Sequence, residues 1–249
     1  MEQATRKGKL TRDRFGASMP VDAPYYQSPP FYYRDARSLT VTFETDPDAA
    51  AEILPEGLEV PVPSHAAVMV LYYPTSTFGP YNEAALAIPC LWQGEDQLYI
   101  AQIVVDTVPP LVGGREIWGY PKKIAGIELS EEDEFVRGAV ERPAGVRLVS
   151  VAMRPERPSP STSGDGPSVV SLRVIPSAEA DQPPAVAELV QVLYTDRRVH
   201  EAWSGPATLQ FEAESTLDPW HALPIQKVLF GVYSRFDFTL PHGRVLRRY

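Results

Sequence analysis

The sequence predicts a mainly β protein, a β-rich α+β domain of antiparallel strands with a few short helices. Short apolar runs, several alternating with polar residues, recur along most of the chain between turn-forming residues. The 26 prolines and 16 glycines among 249 residues leave little room for long helices. No break separates two cores and no repeat is evident, so a single domain over residues 37–249 is expected.

The first 36 residues are predicted to form an arm that precedes this domain. Prolines at positions 20, 24, 29 and 30 interrupt any regular period in it. Five aromatic residues crowd its second half: Tyr25, Tyr26, Phe31, Tyr32 and Tyr33. Because a cluster of large aromatic side chains favours a packed environment, the arm 1–36 is expected to pack onto another part of the protein.

The domain is predicted to open with a strand and a short helix. Leu39, Val41 and Phe43 alternate with polar residues, as in a strand with one buried face. Asp46 is a natural helix N-cap, and Pro47 after it suits the first helical position. The sequence Pro-Glu-Gly at 55–57 ends this helix after about two turns.

Most of the remaining chain is predicted to be strand, because it consists of short apolar runs bounded by Gly, Pro, Asn or Asp. These runs are residues 65–73, 83–92, 97–106, 134–141, 146–154, 168–176, 207–214 and 227–240. Residues 185–194 fit a helix or a strand on periodicity alone. Residues 154–168, rich in Pro, Ser and Gly, are predicted to be a flexible surface loop.

Charge and hydropathy exclude several classes of partner. The chain has 23 Lys and Arg against 32 Asp and Glu, a net charge of −9. A domain this acidic is poorly suited to hold nucleic acid or anionic lipid through charge, so neither nucleic acid nor a membrane is expected as a partner. No apolar run approaches the roughly 18 residues that a bilayer span needs, and none follows the basic amino terminus. A soluble, cytoplasmic protein is therefore expected.

The sequence predicts no metal site and no other cofactor. The single cysteine, Cys90, excludes an intramolecular disulfide framework and a cysteine-rich zinc site. The four histidines are scattered, without the close spacing of a metal-binding pair. Gly113 and Gly114 lack the rest of a phosphate-binding pattern and are interpreted as a turn.

The segment most informative about chemistry is GGREIWGYPKKIAG, residues 113–126. Two adjacent lysines, Lys122 and Lys123, stand there among apolar and aromatic neighbours. Adjacent side chains of a strand point to opposite faces, so one lysine can enter the interior while the other stays at the rim. Burial penalises the ammonium form, and the resulting neutral amine can attack a ketone to form a Schiff base. The alternative, from these residues alone, is a pair of solvated lysines in a turn.

Several blocks of the sequence resemble the acetoacetate decarboxylase superfamily. GREIWGYPKK (114–123) resembles its lysine signature, GPYNEAALAIP (79–89) the stretch with its catalytic glutamate, and VHEAWSGPATLQF (199–211) a third block. FYYRDARSLTVTFETDPDAAAEILPEGLEV (31–60) is similar to the amino-terminal block. The 39 residues from Glu83 to Lys122 match the superfamily's spacing. The resemblance implies an antiparallel β-barrel, a homo-oligomer and a strand at 185–194.

The resemblance further implies a cofactor-independent decarboxylase that forms a Schiff base with a β-keto acid. Lys122 would be the nucleophile and Lys123 the neighbour credited with lowering its pKa, although strand alternation favours desolvation as the cause. Acetoacetate decarboxylase is a standard example of a lysine activated in one of these two ways. Glu83 would orient the substrate and help to move protons.

The residues implied to bind substrate are Arg34, Tyr120 and Val68. Arg34 would place a guanidinium near the substrate carboxylate or control Glu83, with Arg37 as the alternative. Counting back from Glu83 puts Val68 where the superfamily's decarboxylases carry a second glutamate. A valine there would make the pocket more apolar and predicts either a substrate with a larger apolar group than acetoacetate or a different keto acid altogether.

Two other functions remain open from the sequence. A pyruvate aldolase-dehydratase would use the same lysine imine to make a carbon–carbon bond. A non-catalytic barrel would bind an apolar carbonyl compound; Lys122 together with Glu83 argues against it, whereas Val68 keeps it open. The expected partner for an enzyme is a small-molecule keto acid.

Overall fold

The computed structural model describes residues 5–160, 164 and 166–249. Its strands, named in chain order, are β1 (Phe31–Thr45), β2 (Leu58–Glu59), β3 (Ser64–Tyr73), β4 (Thr75–Ser76), β5 (Tyr81–Trp92), β6 (Glu95–Val105), β7 (Lys122–Ile124), β8 (Gly126–Glu132), β9 (Phe135–Glu141), β10 (Arg147–Met153), β11 (Arg157–Pro158), β12 (Ser168–Ile175), β13 (Val186–Leu193), β14 (Thr195–Gly205), β15 (Ala207–Phe211), β16 (Lys227–Leu240) and β17 (Arg244–Arg248). The mainly β prediction is confirmed, and residues 185–194 form a strand rather than a helix.

The helices are few and short. They are α1 (Pro47–Ile53), α2 (Val108–Gly113), a π-helical turn (Gly114–Trp118) that continues α2, and two 3₁₀ turns (Arg12–Arg14 and Trp220–Ala222). The Asp46 carboxylate caps α1 by accepting from the backbone N–H groups of residues 48 and 49 at 2.8 and 3.0 Å. The predicted turn at Gly113 and Gly114 is wrong, since both glycines have helical backbone angles. They serve close packing instead: a side chain at Gly114 would meet that of Lys122.

Two sheets make up the described structure. The larger has the strand order β11-β14-β16-β1-β3-β5-β6-β12-β13-β17, with β2, β4 and β7 paired to β5, β1 and β6. Neighbours are antiparallel, except that β6 runs parallel to β12 and β7. The smaller sheet has the order β15-β10-β9-β8. Every strand predicted from periodicity is therefore present. Most ends are shifted by a few residues, but β1 begins at Phe31, inside the predicted arm.

The predicted closed barrel is wrong. Closure requires the first and last strands of a sheet to pair, whereas β11 and β17 stand at opposite ends of the large sheet's order. The β11 edge is two residues long and contains Pro158, which has no N–H for another strand. The smaller sheet instead covers one face of the large one as a separate layer, and a side chain at Gly138 of β9 would meet Val70 of β3.

The central strands β1, β3 and β5 are buried on both faces, and each face has its own core. One face packs against the smaller sheet through side chains such as Val41, Val68 and Leu86. The other face contributes an aromatic-rich core that includes Tyr33 and Tyr73. Because side chains alternate along a strand, neighbouring residues of β1, β3 and β5 belong to different cores.

The amino-terminal segment enters the large sheet at a lower residue number than its composition suggests. β1 begins at Phe31, so the predicted boundary at residues 36/37 falls inside a strand, where Phe31 and Ala36 are fully buried. Tyr26 is also buried, and its hydroxyl donates to Oε2 of Glu116 at 2.7 Å. The aromatic end of the arm thus packs onto the π-helical turn.

The predicted loop at residues 154–168 contains the short strand β11. Residues 161–163 and 165 of this loop lie outside the described residues. Among the helices that the structure describes, none combines the length and the apolar character needed to cross a membrane.

Candidate active site

The lysine pair lies on β7, beside β6 in the large sheet. Gly119 adopts a left-handed conformation (φ 79°) after the π-helical turn, and a Cβ there would lie 2.3 Å from Cα of Arg173, so only glycine fits. Pro121 then leads into β7, where Lys122 pairs with Ile103 and Lys123 with Val104. Strand alternation sends the two lysine side chains to opposite faces, as the sequence predicts.

Lys122 points inward and contacts Glu83. Its side chain is 6% exposed, and Nζ donates to Oε2 of Glu83 at 2.7 Å. Glu83 lies on β5, opposite Val105 of β6, and its other carboxylate oxygen accepts from the Tyr73 hydroxyl at 3.0 Å. Because β5 and β7 both flank β6, two residues 39 positions apart in the chain meet across that strand.

The Lys122–Glu83 pair faces a cavity of about 80 Å³. Of the described residues that line it, Glu83 and Lys122 are the charged ones, and the others are aliphatic or aromatic. Tyrosines dominate the polar part of the lining: Tyr33, Tyr73, Tyr81, Tyr120 and Tyr194. The cavity is far smaller than the roughly 300–1,000 Å³ of pockets for drug-sized ligands, so it suits a small molecule.

The tyrosine hydroxyls of the cavity are neutral hydrogen-bond donors. Burial raises the pKa of each of them, and the nearby Glu83 carboxylate raises it further. The Tyr81 hydroxyl donates to that of Tyr33 at 3.1 Å, and the hydroxyls of Tyr120 and Tyr194 lie 3.3 Å apart. Nζ of Lys122 is 5.8 and 5.7 Å from the ring centroids of Tyr81 and Tyr120, within cation–π range.

Lys123 lies outside the cavity. Its Nζ donates to Oδ1 of Asp218 at 2.9 Å and to the carbonyl of Leu217. The Asp218 side chain is 5% exposed and also accepts from Nε of Arg142 at 2.9 Å. The structure therefore brings Lys122 and Glu83 together, whereas the Lys123 charge is paired on the other face of β7.

The sequence matches the family model for acetoacetate decarboxylase over residues 18–249. The chain belongs to the acetoacetate decarboxylase family. It is 30% identical to acetoacetate decarboxylase 1 of Mesorhizobium japonicum, covering 100% of this chain and 98% of that one. It is 31% identical to acetoacetate decarboxylase 1 of Bradyrhizobium diazoefficiens over 93% of both chains.

Solved structures share the fold. The acetoacetate decarboxylase of Legionella pneumophila is 29% identical and superposes with a TM-score of 0.85 over 99% of both chains. The enduracididine biosynthesis enzyme MppR, at 21% identity, superposes with a TM-score of 0.82 over 98% of both chains. At that identity, the second likeness concerns the fold alone. The open sheets described above are thus the form that this family fold takes here.

Neither candidate arginine, Arg34 or Arg37, lines the cavity. β1 is irregular between Tyr33 and Ala36, where Asp35 has a φ of 55°. Since Tyr33 faces the cavity, Arg34 faces away, is exposed, and donates to the carbonyls of Tyr33 and Phe238 at 2.8 and 3.1 Å. Arg37 instead pairs with Glu131 at 3.4 Å.

The placement of Val68 in the pocket is wrong. The side chains of β3 that line the cavity are Met69, Leu71 and Tyr73, whereas Val68 is fully buried in the opposite core. Counting back from Glu83 misses the facing residue by one position, and a shift of one position reverses the face of a strand. Met69 is the residue that occupies the cavity wall there. Tyr120 does line the cavity, as predicted.

Four of the five cavity tyrosines are not predicted as site residues from the sequence. Tyr73 and Tyr81 are cross-strand partners at the ends of β3 and β5, so pairing the predicted strands through Glu83 could have found them. Tyr33 is recognised in the sequence only as part of an aromatic cluster. Tyr194 lies between β13 and β14, and no local pattern marks it.

Proposed function

We propose that the protein is a carboxy-lyase that decarboxylates a small β-keto acid through a Schiff base on Lys122. One observation carries the proposal: a buried primary amine faces a small cavity and is hydrogen-bonded at 2.7 Å to a carboxylate that can take its proton. The relatives named acetoacetate decarboxylase, 30 and 31% identical over nearly the whole chain, support the reaction class.

Glu83 can convert Lys122 into a nucleophile. The ion pair and the neutral pair hold the same protons and differ in where one proton lies along the 2.7 Å hydrogen bond. Burial disfavours charges, so it lessens the advantage of the ion pair. Transfer of the proton then leaves a neutral amine on Lys122.

The proposed reaction uses this amine and the shared proton. Nζ adds to the ketone carbon, and Glu83 returns its proton to the ketone oxygen. Glu83 then carries a second proton from Nζ to that oxygen, which departs as water and leaves an iminium. The bond to the carboxylate breaks, its electron pair neutralises the iminium, and CO2 and an enamine result. A proton from solvent, added to the enamine carbon, restores an iminium, which water hydrolyses to the ketone and free Lys122.

The size of the cavity supports a short substrate such as acetoacetate. The expectation of a larger apolar group rested on Val68 in the pocket, and Val68 belongs to the opposite core. Met69 leaves the wall apolar, but the volume is only about 80 Å³.

A second candidate is a pyruvate aldolase-dehydratase that uses the same imine. The observation that favours it is the fold shared with MppR, a structure of which holds pyruvate and another the condensation product of pyruvate and imidazole 4-carboxaldehyde. That likeness rests on 21% identity, whereas the decarboxylases are closer in sequence.

Product analysis by NMR distinguishes the candidates. The purified protein is incubated with acetoacetate, or with pyruvate plus an aldehyde, and each reaction is repeated with Lys122→Ala. We expect acetone and CO2 from acetoacetate, no condensation product from pyruvate, and neither reaction in the variant. Condensation without acetone would favour the aldolase, and no turnover of either mixture would favour a non-catalytic carbonyl-binding protein.

A further inference from the structure

Among the described residues that line the cavity, Lys122 is the one that carries a positive charge. Lys122 is paired with Glu83 and is the group that must react with the ketone. Arg34 is on the outer face of β1, bonded to backbone carbonyls. A keto acid that enters must therefore find other donors for its carboxylate, because an unpaired buried charge is costly.

Tyrosine hydroxyls can supply those donors. Each hydroxyl has one proton to donate. Tyr81 donates its proton to Tyr33, which leaves the proton of Tyr33 available. Of the two hydroxyl protons of Tyr120 and Tyr194, one forms the hydrogen bond between them, which leaves the other available to donate. Within the described part of the chain, neither remaining proton is bonded to an acceptor.

These hydroxyls are held firmly in place. The ring of Phe238 stacks on Tyr33, with centroids 4.3 Å apart and planes 7° apart. It also stacks on Tyr194, at 5.1 Å and 12°. Tyr33 and Tyr194 thus pack on the same phenylalanine, and both line the cavity that contains Nζ of Lys122.

We propose that Tyr33 and the Tyr120–Tyr194 pair form a carboxylate-binding subsite that orients a short-chain carboxylate, with its keto carbon toward Lys122. This inference rests on the proposed function for the identity of the ligand, but the subsite itself requires only a carboxylate.

Neutral donors suit a decarboxylation. A guanidinium would stabilise the carboxylate most strongly before reaction and so oppose the loss of its negative charge. Hydroxyls fix the orientation with a smaller stabilisation of the starting state. A phenol is protonated at neutral pH even at its ordinary pKa of about 10, and burial raises the pKa of these three further.

Binding of butyrate, a carboxylate with no ketone, tests the subsite without the chemistry. Calorimetry compares the wild-type protein with Tyr33→Phe, Tyr120→Phe and Tyr194→Phe. The matched control is Tyr32→Phe, on the exposed face of the same strand. We expect butyrate binding to weaken by about 10-fold in Tyr33→Phe and in at least one of Tyr120→Phe and Tyr194→Phe, as for loss of a hydrogen bond to a charged group, and to stay unchanged in the control. Melting temperatures confirm that each variant is folded.

Trapping of acetone with borohydride is measured in parallel, since acetone needs Lys122 but no carboxylate subsite. We expect the exposed control Tyr32→Phe to trap acetone at a rate within about twofold of wild type. Unchanged butyrate affinity in all three of Tyr33→Phe, Tyr120→Phe and Tyr194→Phe, or no butyrate binding by the wild type, would overturn the subsite. Failure of the wild type to trap acetone would instead overturn the Schiff-base function and leave the butyrate result to decide the subsite.

Discussion

At the scale of single residues, the face of β7 on which each lysine lies determines what that lysine can do. Lys122 enters a cavity beside a carboxylate, whereas Lys123 reaches Asp218 on the other face. The charge of Lys123 is paired with Asp218 on that face, so Lys123 does not take part in the cavity that Lys122 lines. The alternation of a strand made this division predictable from two adjacent letters of the sequence.

Alanine substitution of the two lysines should give different phenotypes. Lys122→Ala should abolish decarboxylation and borohydride trapping without unfolding the protein, because the primary amine is lost. Lys123→Ala should keep trapping but lose about 1 kcal/mol of unfolding free energy, or about 2–4 °C in melting temperature, because Asp218 loses a partner. Equal and complete loss of trapping in both variants would contradict this division of roles.

Glu83→Gln should separate imine formation from turnover. The amide keeps the shape but cannot take the proton of Lys122. We expect decarboxylation to fall by about 10²-fold or more, the usual effect of a positioned acid–base group, and trapping to fall less. Stopped-flow CO2 release and trapping rates measure the two steps. Turnover at the wild-type rate would show that Glu83 is structural.

Substitutions of Val68 and Met69 form a matched pair that tests which residue controls the preferred chain length of the substrate. Met69→Ala enlarges the cavity, so kcat/KM for longer β-keto acids should rise relative to acetoacetate, by about fourfold for each methylene accommodated. Val68→Ala removes core volume on the opposite face and should cost about 2 kcal/mol of stability without changing that ratio. Decarboxylation rates across a chain-length series measure both. A shifted preference in Val68→Ala alone would place Val68 back in the pocket.

Whether a site residue could be predicted from the sequence depends on what positions it in the fold. Lys122 and Glu83 lie in recognisable motifs at a fixed spacing, so both could be predicted from the sequence as candidate site residues. Val68 required the register of β3 against β5 to within one residue, and Arg34 required the irregularity at Asp35. Neither is encoded in a local pattern, since register and bulges depend on the partner strand.

At the scale of elements, the π-helical turn positions the reactive lysine. Its first residue, Gly114, approaches so closely that a Cβ would lie 2.8 Å from Cδ of Lys122 and 2.9 Å from Cε. The Arg115 guanidinium also donates to the Lys122 carbonyl at 3.1 Å. The glycine that the sequence indicates as a turn is therefore needed for the packing of the Lys122 side chain.

Gly114→Ala should displace Lys122. We expect trapping and turnover to fall by about 10²-fold, the scale of a misplacement of about 1 Å, with little change in melting temperature. The matched control is Gly126→Ala on β8, where a Cβ would make only ordinary contacts at 3.7 Å or more. Wild-type trapping by Gly114→Ala would contradict a positioning role for the turn.

At the scale of the whole molecule, the strands were predictable but their closure was not. Apolar periodicity shows where strands run, because it records which faces are buried. Whether a sheet closes depends on pairing between its first and last strands, here β11 and β17. Those strands are two and five residues long and lie far apart in the chain, so no local pattern could reveal that they do not meet.

The buried tyrosines predict a loss of stability at alkaline pH. In the unfolded chain tyrosine titrates near pH 10, whereas burial raises the pKa of the cavity tyrosines. Above that pH the unfolded state loses protons that the folded state keeps, so the unfolding free energy falls as pH rises. Each tyrosine contributes up to about 1.4 kcal/mol per pH unit. Urea unfolding as a function of pH should show a shallower decline in Tyr194→Phe, and parallel curves would contradict this account.

The most direct test of the central claim, an imine on Lys122 that leads to loss of CO2, is borohydride reduction in the presence of acetoacetate, followed by intact mass and peptide mapping. The wild-type protein should gain one isopropyl group, the reduced remnant of acetoacetate without its carboxylate, on Lys122. Glu83→Gln should still be modified at the same residue. A modification on Lys123, an adduct that keeps the carboxylate in the wild type, or no adduct at all would contradict the account.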